Sequence, residues 1–292
     1  MQQYVYANEG RVLLREATDE DVDKIYQMYE ETYPHSWWQN EELNRFRYDL
    51  IKEIGGRIFV AVLKDNIIGH TELVLPQSEE EPVYLVRLEI HDDYRRRKFG
   101  IELVRYSAII MKNLGYQAYV TWPDTNKSKG LYKKVGLKEI KSDPQLLVEI
   151  VNKREVEVDQ VKELSFDQQP DNLTVVVGCP WAREYIWNKA FKAGNEEVLD
   201  YQGPYLYQVD IGEISSVILL DGHSLYLYLP EEEKDNFAII ERLIVYVSNL
   251  AFDNNISNIH INLNYQIWSN LNLSDIWEVK KEEERLEMRM NF

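Results

Sequence analysis

Cysteine is almost missing from this chain: Cys179 stands alone among 292 residues. An intramolecular disulfide is therefore impossible, and a zinc cluster built on cysteines is excluded. Histidine is scarce too, and His223 and His260 show no metal-ligand spacing, so no metal is expected. Positive charge is in deficit, with 33 lysines and arginines against 50 acids and a net charge of −17. Such a surface repels phosphate backbones, which argues against a nucleic-acid partner, while it keeps the protein soluble and attracts cations such as protonated amines. No apolar run approaches the roughly 18 residues of a bilayer span, so no membrane contact is expected. The opening MQQYVYANEG lacks the basic-then-apolar order of a secretory signal, and a cytoplasmic setting fits these absences.

What is present is the balance of a folded protein, 45% hydrophobic and 28% charged, at a length that suits two domains. Val12 to Leu14 reads as a short strand. Thr18-Asp19-Glu20-Asp21 reads as a helix start, a capping residue followed by acids, with Val22, Ile25, Met28 and Tyr29 at helical spacing behind it. A second helix is expected from Glu41 to Ile54. Strands follow at Ile58 to Leu63, Ile67 to Leu75 and Val83 to Ile90. After Gly100 the period lengthens: Ile101, Val104, Ala108, Met111 and Leu114 predict a helix that Gly115 closes. Gln117 to Trp122 predicts a strand, Lys127 to Val135 a helix, and Leu137 to Val151 a hairpin turning at Ser142-Asp143-Pro144. The order is that of a mixed α/β domain.

The second half repeats part of this order. Three strands are expected between Tyr205 and Leu229, then a long helical stripe from Phe237 to Leu250, a strand from Ile256 to Leu263, and a closing hairpin from Ile276 to Phe292. Leu137-Lys-Glu-Ile140-Lys141 parallels Ile276-Trp-Glu-Val279-Lys280 at an offset of 139 residues. A matched offset over several elements predicts an internal duplication, with domains at 1–152 and 153–292.

The segment with most chemical content is His91-Asp-Asp-Tyr94-Arg95-Arg96-Arg97-Lys98-Phe99-Gly100, between a strand and a helix. Unpaired N–H groups at a helix start, with the helix dipole behind them, favour an anion such as a pyrophosphate. Four consecutive basic residues reverse the sign of an otherwise acidic chain there. The alternative is a basic surface turn.

This segment resembles the pyrophosphate-binding motif of the GNAT acyltransferase superfamily, Arg/Gln-x-x-Gly-x-Gly/Ala. Arg95 matches its first position and Gly100 its last, with Lys98 in place of the first glycine. Leu88-Glu89-Ile90 is similar to the family's splayed strand. Ser128-Lys129-Gly130-Leu131-Tyr132-Lys133-Lys134-Val135-Gly136-Leu137 resembles the family's helix and strand that follow, with Thr125 and Asn126 where an asparagine is usual. The match runs from about Val12 to Val151.

The resemblance implies a mixed-sheet GNAT fold in the first half and an acetyl-CoA-dependent N-acetyltransferase acting on a small-molecule or peptide amine. The cofactor site would be Leu88, Ile90, Arg95, Arg96, Arg97, Lys98, Phe99, Gly100, Ile101, Thr125, Asn126 and Ser128. Tyr132 would be the general acid, because a phenol of pKa about 10 suits a leaving thiolate. Glu89 would be the base, with His91 and His70 as alternatives. Side chains alternate along a strand, so Glu89 and His91 share a face. Tyr33, His35, Trp37 and Trp38 would border the acceptor, the aromatics offering cation–π contact to an amine or simply packing the loop. A GNAT-like protein that binds coenzyme A or another ligand without turnover is the alternative, as is an acetyltransferase for protein N-termini or lysines.

The corresponding position of the second half, Leu229-Pro230-Glu231-Glu232-Glu233-Lys234-Asp235-Asn236-Phe237, has no glycine and is negative. A second GNAT-like domain there is expected to have lost the cofactor. Cys179 precedes an expected helix start at Pro180 without a positioned base nearby, and reads as a buried, inert thiol.

Overall fold

A computed structural model describes residues 2–7, 10–32, 41–76, 81–164, 173–179 and 205–292, which leaves the expected helix start at Pro180 outside the described residues. The chain divides into two compact units: Met1–Lys141 with Leu286–Phe292, and Ser142–Arg285.

Unit 1 begins with a hairpin, β1 (Gln2–Ala7) on β2 (Gly10–Glu16). The expected helix start is a closed network. The Thr18 N–H donates to the Asp21 carboxylate at 2.7 Å, and Arg15 reaches both oxygens of Asp21 at 2.5 and 2.8 Å. It leads into α1 (Val22–Thr32), which buries Val22, Ile25, Met28 and Tyr29 as the spacing predicts. Then come α2 (Glu41–Glu53), β3 (Arg57–Leu63), β4 (Asn66–Val74) and β5 (Val83–Ile90). Next follow α3 (Phe99–Asn113), β6 (Ala118–Thr121), α4 (Asn126–Val135) and β7 (Lys138–Ile150). Strands β1 to β5 pair antiparallel in chain order. β5 and β6 run parallel, which requires a crossover, and α3 supplies it.

The buried stripe of α3 keeps the expected Val104, Ala108 and Met111, while Ile101 is only half-buried. Phe99, Leu103, Val104, Tyr106, Ala108 and Met111 face the core, while Leu114 is exposed. These side chains pack with Phe59, Leu73 and Leu85 of the sheet. Each large apolar side chain buried this way contributes about 1.5–3 kcal/mol.

Unit 2 contains β8 (Gln160–Glu163), β9 (Leu173–Val177), β10 (Tyr205–Ile211), β11 (Ile214–Asp221) and β12 (Ser224–Pro230). It continues with α5 (Phe237–Asp253), β13 (Asn258–Asn262), α6 (Tyr265–Trp268) and β14 (Trp277–Asn291). β10, β11 and β12 form an antiparallel meander, and β13 runs parallel to β12 after the α5 crossover. The core holds Ile240, Leu243, Ile244 and Val247 of α5 against Ile218, Leu220, Leu227, Ile259 and Ile261.

The two expected hairpins are each one long strand instead. β7 runs on through Pro144, whose carbonyl accepts from the Leu263 N–H at 3.2 Å. The far end of β7 pairs with β13, Gln145 opposite Asn262 through Glu149 opposite Asn258. The far end of β14 pairs with β6, Met288 opposite Thr121 through Asn291 opposite Ala118. The compact units therefore do not divide at residue 152: the chain leaves unit 1 within β7 and re-enters it within β14.

Candidate active site

β5 carries an irregularity that decides the site. Opposite β4, the register steps between Glu72 and Leu73: Leu73 faces Leu85 while Glu72 faces Arg87. The extra residue, Val86, reverses the alternation from that point on. Leu88 and Ile90 consequently join Leu85 on the α3 side, and Arg87 and Glu89 turn to the other face. A signal for this was present in the sequence: Leu85 and Val86 are adjacent apolar residues in an otherwise alternating strand.

The parallel pairing of β5 with β6 is short. It runs from Val83 beside Tyr119 to Leu85 beside Thr121 and stops there, although β5 continues to Ile90. The Thr121 hydroxyl donates to the Leu85 carbonyl at 3.0 Å, where the strands part. Tyr132, buried on α4, is hydrogen-bonded to the same threonine. Burial raises the Tyr132 hydroxyl well above the ordinary phenol range. Thr121 pulls the other way, and the charges of Asp124 and Glu89 add to the rise. Thr121 is a site residue that sequence reasoning missed, since nothing distinguishes it within a short apolar strand.

The basic segment leads from β5 into α3. His91 starts a short 3-10 turn over Asp92–Tyr94. Arg96 and Lys98 then take left-handed backbone angles, φ 63° and 71°. Lys98, which stands where the family motif has glycine, thus has the conformation glycine adopts most readily, at a cost of about 1–2 kcal/mol. It is the N-cap of α3 and provides no side-chain cap. The Glu102 N–H reaches the Lys98 carbonyl at 3.1 Å. The N–H groups of Phe99, Gly100 and Ile101 before it have no acceptor among the described residues. Alternating left-handed residues and a bare helix start form a concave row of donors that suits an anion.

Gly100 holds this row close to the opening. A Cβ there would lie 3.0 Å from Leu131, 3.5 Å from Ile90 and 3.7 Å from Leu88. β5, α3 and α4 therefore converge at one glycine, with Leu88, Ile90 and Leu131 around Gly100. Lys98, Arg96 and Arg97 are exposed on the turn, whereas Phe99 is a core residue. Thr125 and Ser128 cap α4: each hydroxyl accepts from the other's backbone N–H, at 3.1 and 3.0 Å. Asn126 opens that helix, exposed.

The three candidate bases differ in their surroundings. His70 lies opposite Glu89 on β4. Its Nε2 is 3.1 Å from Glu72 and its Nδ1 is 3.4 Å from the Tyr29 hydroxyl, which accepts from Arg87 at 3.0 Å. Arg47 also reaches Glu72, at 2.6 Å. Burial opposes the Glu72 charge, but Arg47, His70 and Arg87 outweigh it and hold the carboxyl well below its ordinary range. His91 accepts from the Asp93 N–H at Nδ1 (3.2 Å) and faces Glu31 from Nε2 at 2.9 Å. Both ring nitrogens of each histidine are thus engaged. Glu89, half-buried, lies near enough for its charge to act on both Tyr29 and Tyr132. Tyr33, His35, Trp37 and Trp38 lie outside the described residues.

Among the described residues no cluster of ligating side chains suits a metal ion, and no helix is long and apolar enough to cross a membrane.

A parallel strand pair opening beside an uncapped helix start has the shape and donors that suit an extended ligand with an anionic end. Residues 22–137 match the model of the acetyltransferase (GNAT) family. No curated protein matches the chain. Among solved structures, a candidate acetyltransferase from Pyrococcus horikoshii is similar over 99% of this chain and 91% of its own, with a TM-score of 0.64 and 14% identity. That likeness concerns the fold. The PaiA N-acetyltransferase from Thermoplasma acidophilum, solved with coenzyme A, is similar over 45% of this chain and 92% of its own, with a TM-score of 0.38 and 20% identity.

Proposed function

We propose that unit 1 is an acyl-coenzyme A-dependent N-acyltransferase, most simply an acetyltransferase, that passes the acyl group directly to a primary amine. One observation carries this reading: the gap beyond Leu85 and Thr121 lies beside the bare, left-handed start of α3. The N–H groups of Arg96 and of Lys98 to Ile101 would hold the diphosphate, and the Leu88–Ile90 edge would pair with the amides of the pantetheine arm. Arg95, Arg97 and Lys98 add positive charge around that anion.

In this reading the amine nitrogen attacks the thioester carbonyl carbon as the C–S bond breaks. The amine proton goes to Glu89, directly or through a water, and Tyr132 gives its proton to the departing sulfur. Because burial raises the Tyr132 hydroxyl, it is protonated at neutral pH and ready to donate. The acidic chain draws protonated amines, whether small molecules or peptide N-termini and lysines.

Thermal unfolding with acetyl-CoA, followed by thiol release across a panel of amines, tests this. Ligand at 100 times its Kd stabilises by about 2.7 kcal/mol. No stabilisation overturns the reading. Stabilisation without thiol release for any amine makes the domain a coenzyme A-binding module instead.

A further inference from the structure

Unit 2 repeats a connection found in unit 1. β12, α5 and β13 form a parallel pair with a helical crossover, as do β5, α3 and β6. The parallel contact is brief in both, reduced in unit 2 to Ser224 beside His260. Beyond it the units differ. In unit 2, β9 lies against the end of β12, with Leu227 opposite Val177, Tyr228 opposite Val175, Leu229 opposite Thr174 and Pro230 opposite Leu173. β11 already holds the other edge of β12 at Leu227 and Tyr228. β9 must therefore occupy the edge that faces β13. The next residue, Gly178, donates its N–H to the Asn262 carbonyl of β13 at 2.9 Å. Residues 173–179 thus bridge the two parallel strands where unit 1 has its opening.

We infer that residues 173–179 are a built-in occupant of this slot, so that the chain takes up one acyl-coenzyme A, in unit 1, and none in unit 2. The inference rests on the function proposed for unit 1, and two independent features support it. The first is the helix start. α5 is capped by Asn236, whose side chain accepts from the Ile239 N–H at 3.3 Å, and the Phe237 N–H bonds Asp235. Glu231–Glu233 precede it in a 3-10 turn. A diphosphate would meet carboxylates and satisfied amides there, the reverse of α3. The second is an interlock. Gly178 has φ +121°, and a Cβ on it would lie 2.4 Å from Cδ1 of Tyr226. The ring of a β12 residue is thus pressed against the backbone of the occupant, a fit that only glycine permits. Cys179 follows, buried, with its sulfur 4.0 Å from the Asn262 amide.

Three measurements on the full chain test this. Calorimetric titration with acetyl-CoA should give one equivalent per chain, abolished in an Arg96→Glu/Lys98→Glu variant. Two equivalents, or one that survives the variant, overturn the inference. Hydrogen exchange of residues 173–179 should be slow and unchanged by acetyl-CoA. Fast exchange, or exchange that accelerates with ligand, shows that the slot is open or can be vacated and also overturns it. Cys179, as the lone thiol, should label slowly, and Gly178→Val should speed labelling about tenfold or more by forcing the segment off Tyr226. Unaltered labelling means that the interlock does not hold. If acetyl-CoA binds nowhere, the proposed function fails, and exchange alone still decides whether the slot is filled.

Discussion

Arg95 turns back from the basic segment to Glu89, Nη2 to Oε2 at 3.7 Å, while its Nε donates to the Ile90 carbonyl at 2.9 Å. The first arginine of the anion-binding turn is thereby tied to the strand that carries the proposed base. Glu89→Gln should lower kcat by about 100-fold and leave acetyl-CoA affinity nearly unchanged. Arg95→Gln should lower it less, and the double variant should fall short of the sum by about 0.5 kcal/mol or more in a cycle of kcat values. Additive effects would show that Arg95 does not act through Glu89.

Tyr132 should behave as an acid that stays protonated. Tyr132→Phe is expected to reduce kcat by about 100- to 1,000-fold without changing the Kd for acetyl-CoA. Since burial raises the hydroxyl above its ordinary value, the alkaline fall of kcat should lie above about pH 10. A pH–rate profile that falls well below this, or an unchanged kcat in the phenylalanine variant, removes Tyr132 from the mechanism.

The Arg47–Glu72–His70 cluster should be a stability element with a defined pH range. The Glu72 carboxyl is depressed in the folded chain. Its contribution is complete above the unfolded value of about 4.3 and is lost as pH falls through the folded value. Glu72→Gln should cost about 3 kcal/mol at pH 7, since it leaves buried guanidinium charge uncompensated. The gap from wild type in urea unfolding should narrow between pH 4 and pH 3. A constant gap would place the loss in packing rather than charge.

Lys98→Gly tests whether backbone or side chain holds the anion. Relief of the left-handed lysine is offset by the freer unfolded glycine, so the melting temperature should stay within a few degrees. If main-chain N–H groups carry the binding, affinity for acetyl-CoA should fall by no more than about 10-fold, the worth of one exposed charge. A much larger loss in isothermal titration would assign the binding to the Lys98 ammonium.

Much of the fold was legible from apolar spacing and apolar runs. The spacing of Val22, Ile25 and Met28 survives into α1, and β3 and β4 are the apolar runs on either side of Asp65-Asn66, buried along nearly their whole length. β1 was missed because Tyr4 and Tyr6 are exposed and leave no alternating pattern. The long strands β7 and β14 read as hairpins because their exposed middles, rich in charge around Lys141 and Glu282–Glu284, look like turns. The basic turn, Gly100 and Tyr132 were readable as chemistry. The Val86 step left a trace in the adjacent Leu85 and Val86, whereas the part played by Thr121 and the filling of the unit 2 slot left none, since each depends on which strand edge meets which.

The exchange of strand ends has a consequence for how the chain comes to be folded. β6, at Ala118–Thr121, pairs with β5 on one edge and gains the partner of its other edge from Met288–Asn291. During synthesis most of unit 1 leaves the ribosome long before that partner does, and the β6 edge must wait with its hydrogen-bonding groups open to other chains. A fragment ending near residue 152 would keep that edge bare for good, and should aggregate where the intact polypeptide does not.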